Sequence, residues 1–192
     1  MIRKVRGWIK LPTADFDKDI NLPKEIGKYA KLSEKGEKIK FVIAKTPEYE
    51  TKHFLGGKDW SLCGRYNADD PEAECVYCDQ YQAMVEKSDE EGAKQLRPVT
   101  TFYYPILDLD TNKPRIFQFS AKSIHYTIKG YMNEGVDVFS GAWLVERTEE
   151  KGNYYKILRL DLKELTKEQK ESLEIAKGYS MEKKESNSVK EE

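Results

Sequence analysis

The sequence predicts a mainly β domain with added helices and a metal-binding subdomain inserted into it. Two β-rich runs, residues 38–45 and 99–109, and a returning strand at 115–119 have the length and composition of strands. One helical stripe, Ile124, Ile128 and Tyr131, falls between the third and fourth strong strands. The only three cysteines, Cys63, Cys75 and Cys78, lie within sixteen residues of one another.

In chain order, residues 5–9 read as a short edge strand and 23–31 as a helix with Pro23 near its first turn. Residues 38–45 place basic side chains at the polar positions of a strand. A polar segment, 58–82, follows without a sustained apolar period, and residues 79–96 read as one helix. The run 99–109 is the longest strand, and Asp110, Thr111, Asn112, Lys113 and Pro114 supply turn chemistry before the strand at 115–119. Ser120 is placed to cap a helix reaching Asn133. Residues 143–147 and 154–160 form a second hairpin, and 162–177 an amphipathic helix. From Met181 the pattern is that of a disordered tail. Strands in hairpins with one helix between them suit a small antiparallel barrel of the OB type, a surface used for single strands of nucleic acid. The expected organisation is a partly ordered segment at 1–35, a barrel at 36–162 with the metal subdomain inserted at about 50–98, a helix at 163–180 and the tail at 181–192.

The Cys-x-x-Cys pair at Cys75 and Cys78 can present two sulfurs to one ion from a single turn. Cys63 and His53, one of two histidines, stand upstream, so a closed Cys3His zinc site is expected. Asp59, Asp79 and His125 are rivals to His53 for the fourth position. Ordinary thiols or a redox pair are the bland alternatives, whereas an odd cysteine count speaks against a disulfide framework. Four protein ligands would leave no position for substrate, which favours a fold staple over metal catalysis.

Mean hydropathy is −0.77 and 35% of the 192 residues are charged, with a net charge of −1. No apolar run reaches the length of a membrane span, and no signal sequence follows the basic start, so a cytoplasmic, non-secreted protein is expected. The neutral total conceals an asymmetry: residues 1–60 carry fourteen basic against nine acidic side chains, and 61–100 four against nine. A basic surface must therefore arise by local clustering.

Aromatic residues make up 11% of the chain, including twelve tyrosines. Phe102, Tyr103 and Tyr104 are consecutive in the long strand, and Arg115, Phe117 and Phe119 share a face of its partner. Stacking on such rings contributes about 1–3 kcal/mol per base. Each ring singly is more readily core, but the set exceeds what a small barrel buries. Tyr154 and Lys156 repeat the theme, and Lys40, Arg97 and Lys122 are candidate phosphate contacts. Lys45 flanks the same strand as Lys40 and shares that reading, Lys52, Lys58 and Lys129 read as solvated, and His125 as a packed or solvated histidine.

The segments 38–43, His53 with 58–63, 74–81, 101–107, 113–119 and 135–138 together resemble the zinc-containing single-stranded DNA-binding, helix-destabilising proteins of tailed bacteriophages. The resemblance spans about residues 36–160, and its most specific element is the order of His53, Cys63, Cys75 and Cys78. It implies an OB barrel with a zinc subdomain, a groove between them for the strand, and those four residues as ligands. It further implies a non-enzymatic coat for exposed DNA in viral replication, recombination and repair, working with other proteins of the same virus in the host cytoplasm. Monomers would associate along the DNA. The mixed Lys and Glu composition of 181–192 departs from the acidic tail common in such proteins. Two rival classes are a zinc-stapled protein-interaction or accessory module and a nuclease using Asp108, Asp110 and Asp137. Stacking platforms do not by themselves read the 2′-hydroxyl, so RNA remains an alternative ligand.

Overall fold

The computed structural model describes residues 29–56, 59–67, 72–149, 151–152 and 154–179. The strand expected at 5–9, most of the helix expected at 23–31, and the tail from 181 lie outside the described residues. The chain is mainly antiparallel β with a few helices, as its patterning predicts.

The strands are β1 (Lys38–Ile43), β2 (Glu48–Gly56), β3 (Asp59–Leu62), β4 (Pro98–Asp108), β5 (Lys113–Phe119), β6 (Ala142–Arg147) and β7 (Tyr155–Leu160). Their order is β3-β2-β4-β1-β6-β7, with β5 paired to β4 outside that path. The branch follows from the length of β4. Its first half pairs with β2, from His53 opposite Pro98 to Glu48 opposite Tyr103. Its last residues pair with β1, and its other edge carries β5.

The alternation of β4 assigns its faces. Phe102, Tyr104 and Ile106 point into the core with Phe41, Phe117, Phe119, Trp143 and Val145. Phe41 of β1 and Phe117 of β5 have ring centroids 5.4 Å apart although β4 lies between their strands, so the sheet is strongly curled. Residues 29–37 bridge the opening: Ala30 exchanges backbone hydrogen bonds with Ile116 and Gln118 of β5, and Gly36 and Glu37 bond to Arg147 of β6. Ala30 forms a β-bridge rather than the end of a helix.

The helices are α1 (Gly64–Asn67), α2 (Val76–Glu86), α3 (Glu90–Leu96), α4 (Lys122–Asn133) and α5 (Lys167–Lys177). The single helix expected at 79–96 is broken into α2 and α3. Ser88 takes φ 58°, and the Asp89 side chain accepts from the Gly92 amide and starts a new helix. Ser120 does not cap α4; its hydroxyl meets that of Thr101 at 3.2 Å, and Ala121 occupies the cap. α4 buries Ile124 and Ile128 in the core. α5 begins at Lys167, later than residue 162, because Thr166 caps it and forms a reciprocal capping box with Gln169. Beyond its end, Tyr179 packs on Tyr103 and Ile116, on the outer side of β4 and β5.

β3 falls within the polar metal loop expected at 58–82, and it pairs as a hairpin with β2, for which no strand is expected from the sequence. The alternation of β2, with Tyr49, Thr51 and His53 on one side and Glu50 and Lys52 on the other, is present in the sequence but is masked by polar residues on both faces. No helix of the described residues is long and apolar enough to cross a membrane.

Ile124 is fully enclosed, whereas Lys122 two residues earlier is exposed. Ile124→Ala is expected to lower unfolding stability by about 2–5 kcal/mol, and Lys122→Ala by no more than about 0.5 kcal/mol. Urea denaturation of both variants checks the pair.

A candidate metal centre and the groove beside it

Four side chains from four places in the chain converge. His53 comes from β2, Cys63 from the residue after β3, Cys75 from the cap of α2, and Cys78 from that helix's first turn. Their ligand atoms all lie within 4.8 Å of one another, and all four residues are buried. The Sγ of Cys63 is 3.7 Å from that of Cys75 and 3.4 Å from that of Cys78. His53 Nε2 is 3.5 Å from Cys75 Sγ and 3.4 Å from Cys78 Sγ. A disulfide holds its sulfurs about 2.05 Å apart, so these are free thiols. The group can hold one metal ion.

Neighbouring groups aim the ligands. His53 Nδ1 lies 2.7 Å from the Leu96 carbonyl oxygen, so it carries the proton and leaves Nε2 for an ion. The Cys63 amide donates to the Thr51 carbonyl at 2.9 Å, fixing the hairpin's end beside β2. A Cβ at Gly64 would lie 2.8 Å from the Glu74 carbonyl oxygen, so only glycine lets the two cysteine-bearing segments approach. Burial pushes the Cys63 and Cys78 thiols up. Burial also opposes ionisation of Cys75, but hydrogen bonds, including those from the Cys78 and Gly64 backbone, outweigh it and hold that thiol low. An ion would supply the positive charge that stabilises all three thiolates.

The residues after Cys63 form one wall of a groove of about 690 Å³. Its floor is Ile43, Thr51, Phe102, Tyr104, Ile128 and Val138, all buried, with Thr100 and His125. Its rim holds Tyr49, Tyr66, Tyr126, Met132 and Phe139, all exposed, together with Arg65, Lys122 and Lys129. Among the described residues no carboxylate lines the groove, in a chain with 34 acidic side chains. Arg65 is braced by Asp79 at 2.9 Å and the Ala73 carbonyl at 3.2 Å, while Lys122 and Lys129 have no ion pair among the described residues.

Of the residues predicted from sequence, the structure brings Phe102, Tyr104 and Lys122 to this groove. Phe117 and Phe119 are enclosed by the core, and Tyr103 faces the other side of β4, donating to Glu50 at 2.8 Å. The two phenylalanine rings are packed in the core of the curled sheet, and that of Tyr103 is covered by Tyr179 on the outer side. Arg115 pairs with Asp108 at 3.3 Å. Lys40 on β1, Arg97 after α3, and Tyr154 and Lys156 at β7 are exposed away from the groove's lining. Asp108 accepts from the Asp110 and Thr111 amides, and Asp137 from that of Phe139, so both support turns. Asp59, Asp79 and His125 stand outside the metal-ligating group.

Sequence reasoning missed Tyr49, Arg65, Tyr66, Tyr126, Met132 and Phe139, and left Lys129 as solvated. One signal was present: Lys122, Tyr126 and Lys129 recur at helical spacing, two residues out of phase with Ile124, Ile128 and Tyr131. No protein-family model matches the sequence, and comparison with curated proteins finds no similar one.

His125 stacks on Phe102 with centroids 4.2 Å apart and planes 11° apart, and its Nδ1 is 2.9 Å from the Tyr104 hydroxyl. Burial, aided by Lys129, lowers its pKa. Its contribution to stability is therefore complete above the ordinary histidine value of about 6.5 and declines as pH falls below it. Urea denaturation across this range is expected to show a weaker acid loss in His125→Phe than in the parent. At neutral pH, Cys75→Ser and Cys78→Ser are each expected to lose bound metal, by elemental analysis, and to melt at lower temperature.

Proposed function

We propose that the protein binds single-stranded DNA without catalysing a reaction on it. One observation carries this reading: a groove rimmed by five exposed apolar or aromatic side chains and three cations, without a carboxylate among the described residues. Rings offer stacking faces to any base, and the cations track the phosphates. Tyr49, Tyr66, Tyr126 and Phe139 are the stacking platforms, and Arg65, Lys122 and Lys129 the backbone contacts. The curled sheet with α4 between its hairpins supports an OB-type barrel, in which such a groove is a familiar binding surface.

The ion at the tetrad is zinc in this reading. A tetrahedron with zinc–sulfur bonds of about 2.3 Å separates its sulfurs by about 3.8 Å, close to the 3.4 and 3.7 Å spacings of Cys63. Cys3His is a closed structural set, and here it holds Arg65 and Tyr66 against the groove. The resemblance to the zinc-containing strand-coating proteins of tailed phages agrees with this site and gives the biological setting: protection of exposed strands during replication, recombination and repair. The runner-up is a zinc-stapled protein-interaction module, favoured by Trp60, half exposed and packed on Phe54 with centroids 5.0 Å apart.

Titration of intrinsic fluorescence with oligothymidine tests the proposal. Saturable quenching is expected, weakening with salt at a log–log slope of about −2 for three neutralised phosphates. Lys129→Ala is expected to reduce that slope by about 0.7, and Tyr126→Ala to cost about 1–3 kcal/mol of affinity. Absence of quenching at low salt from folded, metal-loaded protein overturns the proposal in favour of the interaction module.

A further inference from the structure

His125 is the one imidazole in the groove, and its surroundings fix what it can offer. Burial keeps the Tyr104 hydroxyl protonated by pushing its pKa up. That proton needs an acceptor, and His125 Nδ1 at 2.9 Å is the only partner Tyr104 has among the described residues. With Nδ1 accepting, the neutral ring carries its own proton on Nε2. The stack on Phe102 locks the ring plane. Nε2 meets no partner among the described residues and is not a buried orphan, so it is left for a bound molecule.

The depth of the groove decides which part of a strand would meet it. Lys122 and Lys129 are at the exposed rim, and Phe102 and Tyr104 on the buried floor. Phosphates held at the rim send the bases inward, so the edge farthest from the sugar comes to the floor. On that edge thymine, uracil and guanine present a keto oxygen, whereas cytosine and adenine present an amino group. A fixed N–H donor pairs with the first kind and leaves the second facing another donor.

Building on the strand-binding reading, we propose that His125 selects keto bases over amino bases, donating from Nε2 to the exocyclic oxygen at the tip of a base in the groove. A preference of about three- to tenfold is the scale of one neutral hydrogen bond.

The test compares oligodeoxyuridine with oligodeoxycytidine of equal length at neutral pH, because their bases differ at this edge. The parent protein is expected to bind the uridine oligomer about three- to tenfold more tightly. His125→Phe, which keeps a flat ring on Phe102, is expected to bind both alike. A second readout uses the parent protein alone: the His125 Nε2 nitrogen resonance is expected to shift with the uridine oligomer and little with the cytidine one. Equal affinity in the parent, or an undiminished preference in the variant, overturns this proposal and leaves strand binding intact. Failure of both oligomers to bind overturns the strand-binding reading and this one with it.

Discussion

The structure depends on the demands placed on β4. One strand of eleven residues bonds to β2 and β1 along one edge and to β5 along the other. Its inward residues Phe102, Tyr104 and Ile106 join the core, and Tyr103 meets Tyr179 on the outer side. Pro105, which has no amide to donate, sits between the stretches paired to β2 and β1. Its carbonyl still accepts from Ala44 at 2.9 Å. Because β2 hangs on the first half of β4, the position of His53, and with it the metal centre, is set by the same hydrogen bonds that shape the core.

The metal centre and the groove are consequently neighbours by construction. β2 carries Tyr49 and Thr51 into the groove and His53 into the tetrad, two residues apart on one face. Cys63 is followed directly by Gly64, Arg65 and Tyr66, so the ligand and the wall residues belong to one short piece of chain. An ion bound at the tetrad would act on the groove through that piece, with no change required in the apolar core.

Much of this was legible in the sequence, and the failures have physical causes. Chelating residues advertise themselves by type and spacing, so His53 and the three cysteines could be assembled before any fold was known. The strands at 38–45 and 99–109 were visible because β-branched and aromatic residues concentrate there. Which aromatics are buried was not visible, since alternation separates two faces without saying how far a sheet curls. Phe117 meets Phe41 only because the sheet bends round β4. The helix break at Ser88 and Asp89 was hidden because Asp serves equally as a surface residue and as a cap. Tyr66 comes to the groove from α1 and Phe139 from the connection between α4 and β6, and no local pattern relates them.

The stitching of residues 29–37 onto β5 and β6 has a consequence for how the chain is made. Leu32 accepts from Arg147 across 115 positions of sequence, and Ala30 waits for Ile116 and Gln118. At ribosomal speeds, on the order of ten seconds separate the emergence of Leu32 from that of its partner. For the first part of that interval, until β4 has been made, β1, with Phe41, Val42 and Ile43, has no strand to cover it, and β6 arrives later still. The nascent chain thus holds one of its most apolar strands unpaired through synthesis of the metal lobe, and the core is completed only after β6 has been made.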